Sequence, residues 1–287
     1  MTRSDAAASL PRSPTADPGR YLIPADALPP GFAQKLEERA GHPAEPRPAS
    51  TVVLAREGTD GVEVLLLRRP GRSRFAAGAW VFPGGRVDAD DAALDLSSHA
   101  SGPSAAEWAA RLGLDDADEA TGFVVAALRE AWEETGVLLT RGACPDLRDA
   151  RRAVLADELA FSVLVEHEGL QLATDELLYI AHWVTPEPEP RRYDTRFFLA
   201  RVEPGTACEL VGDELVEARW TAPAEAVRAA HSGEMHLLPP TLHTLQRLAE
   251  HPALRALWEA LRGAPVPRIL PKMRAVGEGV VIEVTSS

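Results

Sequence analysis

The sequence predicts a fold of the α/β class, and three stretches carry this prediction. Apolar runs at residues 50–55 and 62–67 lie on either side of a polar turn, which is typical of two strands joined as a hairpin. Between about residues 120 and 135, apolar side chains recur at helical spacing and Gly136 follows, which predicts a helix with a glycine stop. The 287 residues suffice for a full core, as one large domain or as one domain with appendages.

The remaining elements follow from the same patterns in chain order. A short amphipathic helix is predicted at 31–40, within a stretch at residues 1–48 that is rich in Pro, Ala and Ser and otherwise predicted to be a flexible tail. The other predicted strands span residues 80–82, 137–139, 177–185, 193–202, 215–220 and 279–284. The other predicted helices span residues 105–112, 146–166, 222–230, 239–251 and 254–262.

The composition bounds the classes of function. With 43 acidic against 30 basic residues, the chain carries a formal net charge of −13, which argues against general binding of nucleic acid. No run approaches the ~18 apolar residues of a transmembrane helix, and the first residues lack the apolar core of a signal peptide. The two cysteines, Cys144 and Cys208, are too few for a disulfide framework or a zinc site. We therefore expect a cytoplasmic protein without nucleic-acid or membrane partners, and the excess of Arg over Lys indicates a GC-rich bacterial genome.

An acidic cluster lies within the helix predicted before Gly136. Glu130, Glu133 and Glu134 are spaced i, i+3 and i+4, so a helix would place them on one face. Carboxylates this close repel one another, and Mg²⁺ or Mn²⁺ would relieve the repulsion because these ions prefer oxygen ligands. The alternative is a solvated acidic face without a ligand. The neighbouring Arg129 favours the metal site, because it could orient one carboxylate through a bidentate pair.

A glycine turn and a group of arginines precede the helix. The turn is Phe82-Pro83-Gly84-Gly85, whose glycines allow the backbone to approach a ligand or metal closely. Guanidinium groups match phosphate geometry in a bidentate manner, so the arginines are interpreted as a phosphate-binding loop, with a solvated basic loop as the alternative. The arginines are Arg68, Arg69, Arg72 and Arg74.

Together the glycine turn and the acidic cluster resemble the Nudix box. That box reads Gly, five residues, Glu, seven residues, Arg-Glu, two variable positions, Glu-Glu, one residue, Gly and an aliphatic residue. Its second half matches residues 129–137, with Ala131 and Trp132 in the variable positions.

The first half of the box departs from the family pattern. Counted from Gly85, Asp91 stands where the first Glu is expected, and a segment at about 91–120 is inserted before the second half. In this family the first Glu mainly braces the loop and the helix. Asp91 or Glu119 could take its place.

The segment before the box resembles the coenzyme A branch of the Nudix superfamily. That branch has Leu-Leu-Thr, two arginines, a glycine and Phe-Pro-Gly-Gly at set spacings. Leu67 replaces the Thr of the pattern, and Pro70 replaces a Ser or Ala. The matching positions are Leu65, Leu66, Arg69, Arg74, Gly78 and residues 82–85.

The resemblance implies the architecture of the domain. Residues 49–225 would form a Nudix hydrolase domain, a mixed β-sheet sandwiched between helices, with the insertion near 91–120. Residues 226–287 would form a helical C-terminal extension.

The resemblance also implies roles for individual residues. Glu133, Arg129 and Glu130 would be catalytic, and Mg²⁺ or Mn²⁺ would be held by Glu130, Glu134 and Glu133. The substrate-binding residues would be Arg69, Arg74, Gly84, Gly85 and Arg68. For the general base, Glu133, Glu214 and Glu217 are alternatives, with a solvated loop as the competing interpretation of the last two. His182 alternates with apolar neighbours and is interpreted as a core or strand-face residue rather than a catalyst.

The implied reaction is metal-dependent hydrolysis of a diphosphate bond in a nucleoside diphosphate derivative, a small molecule. Our main hypothesis is coenzyme A or acyl-coenzyme A, giving 3′,5′-ADP and 4′-phosphopantetheine or its acyl form. One alternative is a hydrolase of ADP-ribose, NADH or a nucleotide sugar. Another is a regulatory module that senses a nucleotide without cleaving it. The oligomeric state, including a homodimer, is left open.

Overall fold

The computed structural model of the protein describes residues 19–23, 32, 36, 43–72, 76–277 and 279–284. Its strands are β1 (Arg20–Ile23), β2 (Arg47–Gly58), β3 (Gly61–Arg68), β4 (Trp80–Val81), β5 (Gly84–Arg86), β6 (Ala100–Ser101), β7 (Thr140–Arg141), β8 (Gln171–Ala173), β9 (Leu177–Val184), β10 (Tyr193–Arg201), β11 (Glu217–Thr221), β12 (Arg268–Ile269), β13 (Lys272–Val276) and β14 (Gly279–Glu283). Its α-helices are α1 (Leu96–His99), α2 (Ala105–Leu112), α3 (Ala117–Thr135), α4 (Arg148–Leu155), α5 (Phe161–His167), α6 (Pro223–Ser232), α7 (Pro239–Leu248) and α8 (Leu254–Leu261). Short 3₁₀ helices span Ala89–Ala93 and Thr174–Glu176.

A mixed eight-stranded sheet forms the centre of the fold. Its strands are bonded in the order β11-β3-β2-β10-β9-β12, with β4 beside β3 and β5 beside β2. β2 runs parallel to β10 and β9 runs parallel to β12, whereas β3 is antiparallel to β2 and to β11. The predicted hairpin is confirmed, because β2 and β3 pair up to Gly58 and Gly61.

Helices cover both faces of this sheet, as predicted. Successive side chains of a strand point to opposite faces. Val52 and Leu54 therefore join the apolar cluster that contains α3, while Val53 joins a second cluster with residues of α7 and α8. Burial on both faces explains why β2 and β3 read as continuous apolar runs rather than as alternating ones.

Helix α3 begins a few residues before its predicted start and ends where predicted. Asp116 caps its first turn, since its Oδ1 accepts a hydrogen bond from Asp118 N at 2.9 Å. Gly136 ends it in the left-handed conformation, with φ of 75° and its N–H bonded to Trp132 O.

The inserted segment near 91–120 packs beside α3. It holds α1, β6 and α2, and β6 pairs with β8 in a small sheet completed by β7. A capping box at Ser104 and Glu107 begins α2, which spans the predicted residues 105–112.

A third sheet joins the two ends of the described chain. β1 pairs antiparallel with β14, which also pairs with β13. β1 lies inside the predicted flexible tail and was not predicted. Its partner is distant in sequence, and Tyr21 and Ile282 bury each other in one cluster. The helix predicted at 31–40 lies outside the described residues apart from Phe32 and Leu36.

Two further predictions of secondary structure were wrong in detail. The helix predicted at 146–166 is divided into α4 and α5, and between them Asp157 has a φ of 56°, which an α-helix cannot contain. The strand predicted at 137–139 instead begins at Thr140, where β8 is available as a partner.

The C-terminal region contains strands as well as the predicted helices. β12 joins the central sheet beside β9, and β14 confirms the strand predicted at 279–284. The division of the chain into tail, core domain and extension stays a prediction. Among the described residues, none of the helices combines the length and apolar character that crossing a bilayer requires.

Candidate active site

The glycine turn after β4 lies directly on the acidic face of α3. Glu134 Oε2 accepts a hydrogen bond from Gly84 N at 3.0 Å. A Cβ atom at Gly85 would collide with the carboxylate of Glu130. The close backbone approach that the two glycines predicted is therefore an approach to the glutamates themselves.

Strand β2 holds the turn in this position. β5 pairs with β2 through Gly84 opposite Thr51 and Gly85 opposite Ser50. The fully buried Ser50 donates its hydroxyl hydrogen to Phe123 O of α3 at 2.6 Å. The turn and the helix are thus fixed to the same point of the central sheet.

Asp91 replaces the first Glu of the box pattern, and Glu119 does not. Arg129 donates from Nε to Asp91 Oδ1 at 2.8 Å and from Nη2 to Asp91 Oδ2 at 3.0 Å. Both side chains are buried, whereas Glu119 is exposed on the first turns of α3. The bidentate pair predicted for Arg129 exists, but its partner is Asp91 rather than a member of the acidic cluster.

The guanidinium of Arg129 also reaches the cluster. Nη1 lies 3.0 Å from Glu130 Oε1 and 3.2 Å from Glu133 Oε1, and Nη2 donates to Arg86 O at 2.8 Å. Burial lowers the pKa of Arg129, but its bond to Asp91 and the charges of Asp91 and the glutamates outweigh this effect and raise it. Arg129 is therefore a permanent positive charge that holds the loop and the carboxylates together.

The three glutamates are half-buried, which disfavours their ionised form. Burial raises the pKa of Glu130 to about 7 against the opposing charge of Arg129. Burial, with the neighbouring charge of Glu130, raises the pKa of Glu134 to about 8. Burial also raises the pKa of Glu133. Partial burial therefore favours the neutral form of each glutamate, and a bound cation would favour the ionised form.

The chemistry of this donor set fits a hard divalent cation, but its arrangement is not that of a closed ligand shell. Among the described residues, no three Asp, Glu, His or Cys side chains are grouped as metal ligands would be. Glu130 and Glu133 share Nη1 of Arg129, and Glu134 is bonded to Gly84. The metal role of the three glutamates therefore stays a prediction.

Comparison with known proteins identifies the family. The family model of the NUDT19 Nudix domain matches residues 108–248. A human protein named acyl-coenzyme A diphosphatase NUDT19 is 30% identical over 290 residues, covering 85% of this chain and 74% of the human protein. This chain belongs to the Nudix hydrolase family. It is accordingly a Nudix-type hydrolase, and the sequence resemblance is confirmed, including that to the coenzyme A diphosphatase branch.

Other relatives agree with this family. A Caenorhabditis elegans protein named nudix hydrolase 7 is 31% identical over 210 residues, covering 71% of this chain and 61% of the nematode protein. A solved structure of a NUDIX hydrolase from Alicyclobacillus acidocaldarius is 31% identical, with a TM-score of 0.67, covering 77% of this chain and 99% of that one. The Nudix fold is therefore confirmed, while a bacterial source for this chain stays a prediction.

The arginines predicted to bind phosphate are not equivalent in this Nudix hydrolase. Arg69 is half-buried, and its charge lowers the pKa of Glu134, although burial of Glu134 has the larger opposing effect. Arg68 forms an ion pair with Glu217 at 2.9 Å and lies over the ring of Trp80. Arg74 lies outside the described residues. The predicted roles of all three stay predictions.

The three candidates for the general base also differ in their exposure and in their ion pairs. Glu133 lies in the Nudix helix at the site, and Glu214 is exposed on the loop before β11. Glu217 is engaged by Arg68 and by Arg219, whose Nη2 donates to it at 2.7 Å. The identity of the general base stays a prediction.

His182 occupies the position predicted for it on a strand face. It is buried on β9, and its Nε2 lies 2.7 Å from Asp194 Oδ1. Arg196 contacts the same imidazole from β10 and lies over the ring of Phe123. These contacts belong to the interior of the sheet.

Two contributors to the Nudix site were missed from the sequence. Asp88 N donates to Asp91 Oδ2 at 2.8 Å, and Asp88 Oδ2 lies 3.4 Å from Arg129 Nη2. The Asp-x-x-Asp spacing at 88–91 is a helix-start signal that could have pointed to this turn. Ser50, the other contributor, has no local signal, because its partner lies 73 positions away.

Proposed function

We propose that this Nudix hydrolase cleaves the diphosphate bond of coenzyme A or acyl-coenzyme A in a metal-dependent reaction. Water would attack one phosphorus of the diphosphate, and the bond from that phosphorus to the bridging oxygen would break. The products would be 3′,5′-ADP and 4′-phosphopantetheine or its acyl form. The relatives named acyl-coenzyme A diphosphatase and the Leu65–Gly85 pattern of the sequence support this substrate.

The observation that carries the proposal is the contact between the glycine turn and the half-buried glutamates. Gly84 N is 3.0 Å from Glu134 Oε2, and Gly85 lies against Glu130. A diphosphate that enters along this turn would be repelled by the negative charge of the carboxylates. A cation bound between them would remove this repulsion. The turn and the acidic face would together form one site for a metal and a diphosphate.

Glu130, Glu133 and Glu134 would hold Mg²⁺ or Mn²⁺, because carboxylate oxygens are the ligands that these ions prefer. The bound cation would neutralise the adjacent phosphate charges and make the attacking water more acidic. Glu133 is the preferred general base, with Glu214 as the alternative. Arg129 would keep the carboxylates in place through its bonds to Asp91.

Substrate phosphates would meet the arginines beside the turn. Arg69 is the strongest candidate because it is half-buried and its charge lowers the pKa of Glu134, and Arg68 and Arg74 would add charge. The two departures from the coenzyme A pattern, Leu67 and Pro70, are both buried. Side chains packed into the interior are poorly placed to select a substrate, so these departures do not argue against coenzyme A.

The test is product analysis with a panel of diphosphates. Coenzyme A, acetyl-coenzyme A, NADH, ADP-ribose and a nucleotide sugar are each incubated with Mg²⁺, Mn²⁺ or EDTA. We expect metal-dependent release of 3′,5′-ADP from coenzyme A or acetyl-coenzyme A. Cleavage of NADH, ADP-ribose or the sugar nucleotide alone would contradict the substrate. Metal-dependent binding without any cleavage would indicate a nucleotide sensor.

A further inference from the structure

Arg151 is a buried arginine whose hydrogen bonds go to main-chain oxygens of the active-site region. It lies on α4, outside the Nudix box, and its side chain is 4% exposed. Nε and Nη2 donate to Glu133 O at 3.2 and 2.9 Å, and Nη2 also donates to Glu209 O at 2.8 Å. One guanidinium therefore joins the catalytic helix to the loop that precedes β11.

These bonds complete the C-terminal end of α3. The last carbonyl groups of a helix have no partner inside it, and a positive charge there is favourable. Gly136 N bonds to Trp132 O at 2.8 Å, and Glu209 N bonds to Thr135 O at 2.8 Å. Arg151 donates to the carbonyl oxygen of Glu133, which lies between these two bonded positions in the sequence. The main chain of Glu133, whose carboxylate is a candidate for catalysis, is therefore fixed by Arg151.

The neighbouring arginines of α4 show that this contact is specific. Arg148 and Arg152 are exposed and pair with the side chains of Asp146 and Asp149. Arg151 instead turns inward, although burial of its charge lowers its pKa. A buried guanidinium is costly unless its hydrogen bonds are made, so the three bonds account for its position.

The loop that Arg151 holds leads to β11, an edge strand of the central sheet. It begins at Glu209 and returns to the sheet where Val216 N bonds to Arg68 O at 2.9 Å. Within it, Leu215 is buried in the core around α3, next to the exposed Glu214. The loop thus carries one of the candidates for the general base, Glu214.

We propose that Arg151 is a positioning residue that sets the placement of Glu133 and Glu134 and holds the 209–216 loop against the C-terminal end of α3. This inference rests on the proposed diphosphatase function for its effect on turnover. The claim that Arg151 holds the loop against α3 does not depend on that function, because the contact between loop and helix can be measured without substrate.

The test compares Arg151→Met with Arg152→Met, the same change at an exposed neighbour, and with Arg151→Lys. In each full-length variant, kcat and KM are measured on the diphosphate that the wild type cleaves. Amide hydrogen exchange is followed over residues 132–137 and 209–216. We expect Arg151→Met to lower kcat about ten- to hundredfold, with a smaller change in KM and faster exchange in both segments. Arg152→Met should match the wild type.

Arg151→Lys should recover part of the loss, since an ammonium group can donate to one of the two carbonyl oxygens. Unchanged exchange and unchanged kcat in a folded Arg151→Met would overturn the proposal. If Arg151→Met does not fold, Arg151→Lys decides: slower turnover with loosened segments supports positioning, and wild-type behaviour overturns it. If the wild type cleaves no substrate, the proposed function fails, and the exchange data alone decide whether Arg151 holds the loop.

Discussion

Arg129 and Asp91 form a buried two-point ion pair, with Nε 2.8 Å from Oδ1 and Nη2 3.0 Å from Oδ2, across 38 positions of sequence. The inserted segment that divides the Nudix box lies between them. The chain therefore leaves the site after Asp91 and returns to it with α3. The ion pair joins the residues on either side of this inserted segment. The split box is one structural unit despite its interruption.

The first prediction concerns this pair. Asp91→Ala should destabilise the protein by about 3–5 kcal/mol, because it leaves the buried charge of Arg129 without its main partner. Turnover should fall as well, since Arg129 would shift towards Glu130 and Glu133. Denaturant unfolding and kcat check the two effects.

The matched control for Asp91 is Asp90→Ala, one position earlier and exposed. It should change the free energy of unfolding by less than about 0.5 kcal/mol. Equal effects of the two substitutions would show that the ion pair does not brace the site.

A second prediction separates catalysis from stability. Glu133→Gln should abolish turnover to within detection, at least about a hundredfold, because an amide can neither act as a base nor attract a cation as a carboxylate does. Folding should remain nearly intact. Thermal melts and kcat are compared with those of Glu119→Gln, an exposed position on the same helix that should retain full activity. Collapse of the Glu133→Gln melt would mean that the cluster is structural.

The third prediction uses the glycine turn. The backbone of Gly85 lies outside the left-handed region, so Gly85→Ala adds only a methyl group, which would collide with Glu130. Displacement of that carboxylate by about 1 Å should lower kcat about a hundredfold. Gly71→Ala is the control, since a Cβ there meets nothing within 4 Å. Normal kinetics of Gly85→Ala would exclude a tight turn over the glutamates in solution.

The fourth prediction concerns pH and stability. Burial lowers the pKa values of His182, His236 and His243 below the ordinary 6.5. Below about pH 6.5 these histidines therefore bind fewer protons in the folded chain than in the unfolded chain, and their contribution to the free energy of unfolding should fall as pH falls. The raised pKa values of Glu130 and Glu134 act in the opposite direction. The dependence of stability on pH is the sum of the two contributions. Denaturant unfolding at about pH 7.5 and about pH 5.5 measures this slope.

The double variant His236→Gln/His243→Gln isolates the histidine contribution. Glutamine cannot be protonated in this range. Acidification between the two pH values should therefore lower the free energy of unfolding less, or raise it more, in the variant than in the wild type. Identical changes in both proteins would show that His236 and His243 do not contribute, because the raised pKa values of the glutamates act in the opposite direction.

The sequence predicted well wherever the determining contacts are local. Helix α3 and its end at Gly136 follow from side chains within a few turns of each other, and the β2–β3 hairpin follows from two neighbouring apolar runs. It failed for β1, whose partner β14 lies at the other end of the chain. It also missed the break between α4 and α5, where Asp157 turns the chain out of the helical pattern.

By itself, the sequence determined the chemistry of this protein: a glycine turn, an Arg-Glu pair and a glutamate cluster in the order of a Nudix hydrolase. These features are local in sequence, and their residue types dictate their chemistry. Only the tertiary structure decided that Asp91 rather than Glu119 pairs with Arg129, and that Arg151 holds the end of α3. Burial and pairing between distant segments arise only when the chain is packed, because they depend on which side chains lose water together.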